Sequence, residues 1–247
     1  MTETSNHLKP KNSAICRNRE LQDWLHLTPL GREILRKERK YFVDSAKYIF
    51  GNYSLQIGLE QTNLLQGNKI INHYTICQDA ISDLCFLPFA DDSLDLIVCP
   101  HILEFYPKNY PHIIAELQRL LKPDGQLIIS CFNRSSWLNL FKRRFTLFKN
   151  IPLLRIDEIK NQLQQYDLTI EGGKFFSYIP PFASARKIHN WRWLNKVGDR
   201  WFPTLANSFC LIARKNVAAP TNIIKVDFEA NPNLQPQLGN AKVCHKN

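Results

Sequence analysis

The 247-residue chain reads as a single α/β domain on a doubly wound, mostly parallel sheet, and three features of its pattern predict this. Residues 94–99 and 126–132 are near-continuous apolar runs bounded by turn residues, the look of strands buried on both faces. Between them Ile113, Ile114, Leu117, Leu120 and Leu121 recur at helical spacing, closed by Lys122-Pro123-Asp124-Gly125. Strand, helix and strand joined by short turns imply parallel strands with a crossover helix.

In chain order, residues 1–19 are polar and are expected to be disordered, ahead of a domain spanning 20–216. Thr28 before Pro29 is an N-cap followed by proline at the first helical position, so 29–49 reads as an amphipathic helix stopped by Gly51. Tyr53 to Gly58 reads as a short strand, and the β-branched and aromatic stretch 69–76 as a second. Leu84 to Phe89 leads through Pro88 into the turn Ala90-Asp91-Asp92-Ser93, from which the 94–99 strand starts. Beyond the 126–132 strand come a basic amphipathic helix over 135–148, a helix over 156–166, and late strands over 168–177 and 207–214. The tail, 217–247, is rich in Asn, Pro and Gln and is expected to be disordered.

Composition narrows the function classes. The net charge of +10 is uneven: +4 over 1–50, −5 over 51–133, +5 over 134–149 and +6 over 150–247. A uniformly basic nucleic-acid binder would not have an acidic middle third. Seven cysteines, with no C-x-x-C pair, argue against a disulfide framework and a zinc site and suit a reducing compartment. There is no apolar leader at the N-terminus and no run of the ~18 apolar residues that a membrane span needs, so a cytoplasmic location is expected.

The most specific signal is the block 83–132. Asp83-Leu-Cys-Phe-Leu87-Pro88-Phe89, followed by Asp92-Ser93-Leu94-Asp95, resembles the D-x-x-x-L-P-F…D-S-F-D segment of class I S-adenosylmethionine-dependent methyltransferases, type 11 branch. His101-Ile-Leu-Glu104-Phe105 and Leu121-Lys122-Pro123-Asp124-Gly125 continue the likeness. It covers about residues 53–132. Looser flanks at 24–32 and 131–136 are similar to a compact proteobacterial subgroup of methyltransferase-like proteins. The resemblance implies a Rossmann-like methyltransferase fold, S-adenosyl-L-methionine as cofactor, and methyl transfer to an acceptor that the motifs do not identify. The alternative is a non-catalytic binding or regulatory module on the same scaffold.

In an open parallel sheet the ligand crevice lies outside the carboxyl ends of the strands. The cofactor candidates are therefore Gln56, Gly58, Asp83, Leu84, Pro100 and His101, with Asn133 and Trp137 on the substrate side. By resemblance, Asp83 would accept from the adenine amine, and Gly58 would let the backbone approach the ligand. Asp83 could equally cap a turn, and Asp95 is read as a turn residue entering its strand. His101 could act as a general base or simply hydrogen-bond a loop. Asn133 could bind substrate or cap the helix after it. The basic, aromatic run 134–149 could touch an anionic membrane or RNA, or pack Trp137, Phe141 and Phe145 on the domain.

The glycine loop departs from the family pattern. Of an acid and three alternating glycines only Gly58 remains, with Gln56, Glu60 and Thr62 at the other positions. Gly58 to Asp83 is also too short for a helix, a strand and a second helix, so this shortened first crossover region is expected to lack one full helix, the second, which is missing or reduced to a turn.

Overall fold

The computed structural model describes residues 9–76, 84–149, 151–181 and 185–216. In chain order they form α1 (Lys9–Leu27), α2 (Pro29–Ala46), β1 (Phe50–Ile57), β2 (Lys69–Ile76), β3 (Leu94–Pro100), α3 (Tyr110–Leu120) and β4 (Leu121–Phe132). There follow α4 (Trp137–Leu140), α5 (Thr146–Lys149), α6 (Ile156–Gln165), β5 (Leu168–Phe176), α7 (Ala185–Asn190), α8 (Trp193–Trp201) and β6 (Ser208–Lys215). The six strands make one sheet in the order β2-β1-β3-β4-β6-β5. β1 pairs in parallel with β2 and β3, and β3 with β4, while β6 runs antiparallel between β4 and β5. The expected parallel core is present, and only the late strands reverse it.

Alternation along the strands sorts the core into two faces. Ile97, Cys99, Leu127, Ile129 and Cys131 pack under Ile113, Ile114 and Leu117 of α3 and Ile159 and Leu163 of α6. Leu96, Val98 and Ile128 point the other way, against Phe42 and Ala46 of α2 and against Leu64, Leu65 and Ile70. Thr28 caps α2 as its sequence suggests, its Oγ1 accepting from the Gly31 N–H at 3.0 Å.

The L-P-F segment is fastened to α3. Glu116 Oε1 accepts from the Leu87 N–H at 2.7 Å, while the Arg119 guanidinium donates to the carbonyls of Leu87 and Phe89 and pairs with Asp91. Asp95 has the structural role expected of it. Its Oδ2 accepts from the N–H groups of Asn52 (2.8 Å) and Tyr53 (3.0 Å), and Lys122 sits 2.9 Å away.

Between β1 and β2, residues 58–68 form turns with no helix, so a helix is lacking ahead of β2, whereas the expected loss lay after it; residues 77–83 lie outside the described residues. Three further expectations need correction. Residues 9–27, most of them expected to be loose, form α1. α2 ends at Ala46 rather than 49, and the chain enters β1 at Phe50 before reaching Gly51. The run 135–148 is not one helix. It breaks into α4, a 3₁₀ turn at Lys142–Arg144 and α5, with Phe141 and Phe145 in non-helical backbone conformations at the breaks. The predicted tail, 217–247, lies outside the described residues.

Candidate functional site

The predicted crevice residues converge at the carboxyl ends of β1, β3 and β4, and every one that the structure describes there is buried. Gln56 (1% exposed) turns its side-chain amide back into the loop. Nε2 donates to the carbonyls of Gly58, Leu59 and Thr62 at 3.0, 3.2 and 2.8 Å, and Oε1 accepts from the Leu64 N–H at 2.9 Å. The amide thus replaces the hydrogen bonds that a first helical turn would have made. Gly58 has φ +88°, and Leu59 continues the left-handed turn at φ 47°. The glycine does not face open space, as the resemblance implied, because a β-carbon there would run into Ile102 Cδ1 and lie 2.9 Å from its Cγ1. Leu84 is buried, and Asp83 lies outside the described residues.

His101 follows β3 with φ 51° and is wholly buried. Its Nε2 lies 2.9 Å from Glu38 Oε2 of α2 and its Nδ1 3.2 Å from Glu104 Oε1, with the ring stacked on Phe132 at 4.0 Å. Burial alone would lower the pKa, but the two carboxylates outweigh it and push it up to about 10. Both ring nitrogens face a carboxylate oxygen, an arrangement that favours the protonated imidazole. The ring is closed off from solvent and held by partners at both nitrogens, contacts of the kind the structural alternative calls for. The carboxylates have further partners: Glu38 accepts from Ser208 Oγ at 2.5 Å, and Glu104 from the Phe132 N–H at 2.6 Å. Glu104 Oε2 is left without a hydrogen bond. Sequence reasoning missed both carboxylates as members of the site. The only hint was that Glu38 is an acid inside the basic run Arg36-Lys37-Glu38-Arg39-Lys40.

Asn133, also buried, donates through Nδ2 to the carbonyls of Thr204 (2.6 Å) and Ala206 (3.0 Å) and accepts from the Ser135 N–H. It ties two loops together, and the cap of α4 is Ser136, whose Oγ accepts from the Asn139 N–H. Trp137 is 39% exposed and stacks on Phe141, away from this cluster.

Above the strand ends lies an apolar plug. Leu21 and Leu25 of α1, Leu30, Ile34 and Leu35 of α2, and Leu59, Phe105, Phe132 and Phe148 form one buried cluster. Trp24 packs edge-on against Phe132 and Phe148 at 6.1 and 4.9 Å. Among the described residues this cluster packs over the strand ends, and Ile102 lies against Gly58. An open hollow lies instead outside the loop, about 560 Å³ in volume, where Gln61, Thr62 and Gln66 face Arg32, Arg36 and Arg39 of α2.

Residues 55–129 match the family model described as a methyltransferase domain. An uncharacterized protein of Methanocaldococcus jannaschii is 28% identical over 159 residues, 60% of this chain and 62% of that protein. The chain spans less than two thirds of the length of the curated relatives it matches. Among solved structures, a chain of the complex between the Haloferax volcanii Trm112 methyltransferase activator and a candidate methyltransferase has a TM-score of 0.57 at 13% identity, covering 85% of this chain and 98% of that one. A SAM-dependent methyltransferase from Archaeoglobus fulgidus has 0.54 at 16% identity, covering 74% and 94%. At these identities the likeness is one of fold, the mostly parallel sheet with flanking helices.

Proposed function

We propose that this chain, on its class I methyltransferase domain, acts in the cytoplasm as an S-adenosylmethionine-dependent methyltransferase of unassigned acceptor, from a crevice that opens to admit cofactor. The match over 55–129, which spans the glycine loop, the L-P-F segment and β4, carries the reading. S-adenosylmethionine, when bound, supplies a sulfonium methyl group for in-line displacement. This chain's own contribution would be position and exclusion of water. Opening requires the plug to separate, so affinity is reduced by the small fraction of open protein.

One observation favours a second reading, a non-catalytic binding or regulatory module: Gln56, His101 and Asn133 are all consumed by internal hydrogen bonds. Calorimetric titration of the full chain and of Ile102→Ala with S-adenosylmethionine and S-adenosylhomocysteine separates the two. Methyl transfer predicts binding to both proteins, tighter for the alanine variant because the crevice opens more easily. Absence of binding by both, with folding intact, removes the methyl-transfer reading and leaves the second.

A further inference from the structure

α8 presents an apolar stripe to solvent. Trp193, Val197 and Trp201 fall at i, i+4 and i+8 and are 58%, 38% and 68% exposed, with Phe202 at 58% immediately after. Arg192, Lys196 and Arg200 form a parallel stripe one residue round the helix, and all three are exposed. The helix cannot roll to hide its tryptophans. Gly198 lies against the Tyr178 ring, where any β-carbon would collide, and Asn195 Oδ1 accepts from the Tyr178 N–H at 3.1 Å.

α2 contributes charge on the same side. Its acids Glu33 and Glu38 are buried, and against one exposed acid, Asp44, it exposes four cations, Arg32, Arg36, Arg39 and Lys40. A hollow of about 350 Å³ is lined by Arg36, Lys37 and Lys40 from α2 and by Asn195, Lys196 and Asp199 from α8, so the two helices border one surface. Among the described residues Arg32, Lys40, Lys196 and Arg200 make no ion pair.

We propose that α8 and the exposed edge of α2 dock this protein on an anionic lipid bilayer. Exposed apolar groups in a continuous row gain from an apolar phase, and tryptophan beside lysine and arginine suits the headgroup boundary. Nucleic acid would use the charge and the aromatic faces but gives Val197 no apolar partner. A second copy of the chain would bring like charges together. The basic run 134–149 is the weaker lipid face, because Phe148 is buried in the plug and Phe145 packs against it.

The test is flotation of the full chain with phosphatidylcholine vesicles, with and without phosphatidylglycerol, across a salt series. The expected result is binding only when phosphatidylglycerol is present, falling steeply with salt. Trp193→Gln with Trp201→Gln should lower partitioning roughly tenfold, at unchanged circular dichroism and melting temperature. Lys40→Gln and Lys196→Gln should each lower it roughly fivefold and flatten the salt dependence. Failure to float with phosphatidylglycerol overturns the proposal, as does flotation that the tryptophan changes leave unaltered. Binding of an RNA oligonucleotide without flotation, or a dimer that the tryptophan changes dissociate without flotation, overturns it too.

Discussion

The two crossovers that flank β1 and β3 solve the same problem by opposite means. Between β3 and β4 the 11-residue α3 satisfies its own backbone and buries Ile113, Ile114 and Leu117 on the sheet. Between β1 and β2 residues 58–68 have no helix, and the sheet face a crossover helix would cover is shared by Leu64 and Leu65 of the loop with Phe42 and Ala46 of α2, from outside the crossover. The packing task of a crossover helix can thus be shared with a distant segment. Its hydrogen bonding cannot, and in the β1–β2 loop the Gln56 amide answers three carbonyls and one N–H. This also accounts for an amide where the family has an acid, since a carboxylate has no hydrogen to give those carbonyls.

That contrast breaks most severely at Gly58. A valine there combines left-handed backbone strain with collision against Ile102, and should destabilise the protein by about 3–5 kcal/mol in urea unfolding. A substitution within 0.5 kcal/mol of wild type would mean that Ile102 moves freely and the crevice is already loose.

His101 tests the β3 end of the site by pH. Its folded pKa near 10 exceeds the unfolded value of about 6.5, so its stabilisation is complete below about pH 6.5 and disappears as pH rises toward 10. The loss should be roughly 2–4 kcal/mol, read from urea midpoints at pH 6 to 10, and His101→Gln should abolish most of the slope.

Gln56→Glu returns the family's acid to the loop without its donors. It should cost about 2–3 kcal/mol at neutral pH and less in acid, where the carboxyl regains a hydrogen. Stability equal to wild type at pH 7 would show that the amide is not what holds 58–64.

The smallest effect belongs to the well-built side. Burial tends to raise the Asp95 pKa, but Lys122 and the N–H groups of Tyr53 and Asn52 bring it below the usual carboxylate range. Asp95 therefore stabilises above that range and loses its contribution as pH falls through the lowered pKa. Asp95→Asn should cost about 1 kcal/mol at pH 7, and less at acid pH, in the same unfolding assay.

Residue patterns alone identified β3, α3 and β4, because apolar alternation and helical spacing record which side of each element is buried. The short interval from Gly58 to Asp83 likewise predicted that a helix is missing, since chain length bounds what a segment can hold, but not which one: the expectation fell on the second helix, and it is residues 58–68 that lack one. α1 escaped because its N-terminal half is polar and irregular, and 135–148 seemed one helix because composition does not show where Phe141 and Phe145 break it. The candidate site was legible as a place and not as a state. Strand ends set where Gly58, Pro100 and His101 stand, but Glu38 reaches His101 across 63 residues of sequence, and Trp24 closes over Phe132 and Phe148 from α1. Local pattern encodes burial, spacing and turns. Whether a crevice is open, and whether a histidine is a base or a caged cation, depends on contacts between segments far apart in the chain, and only the folded arrangement brings those together.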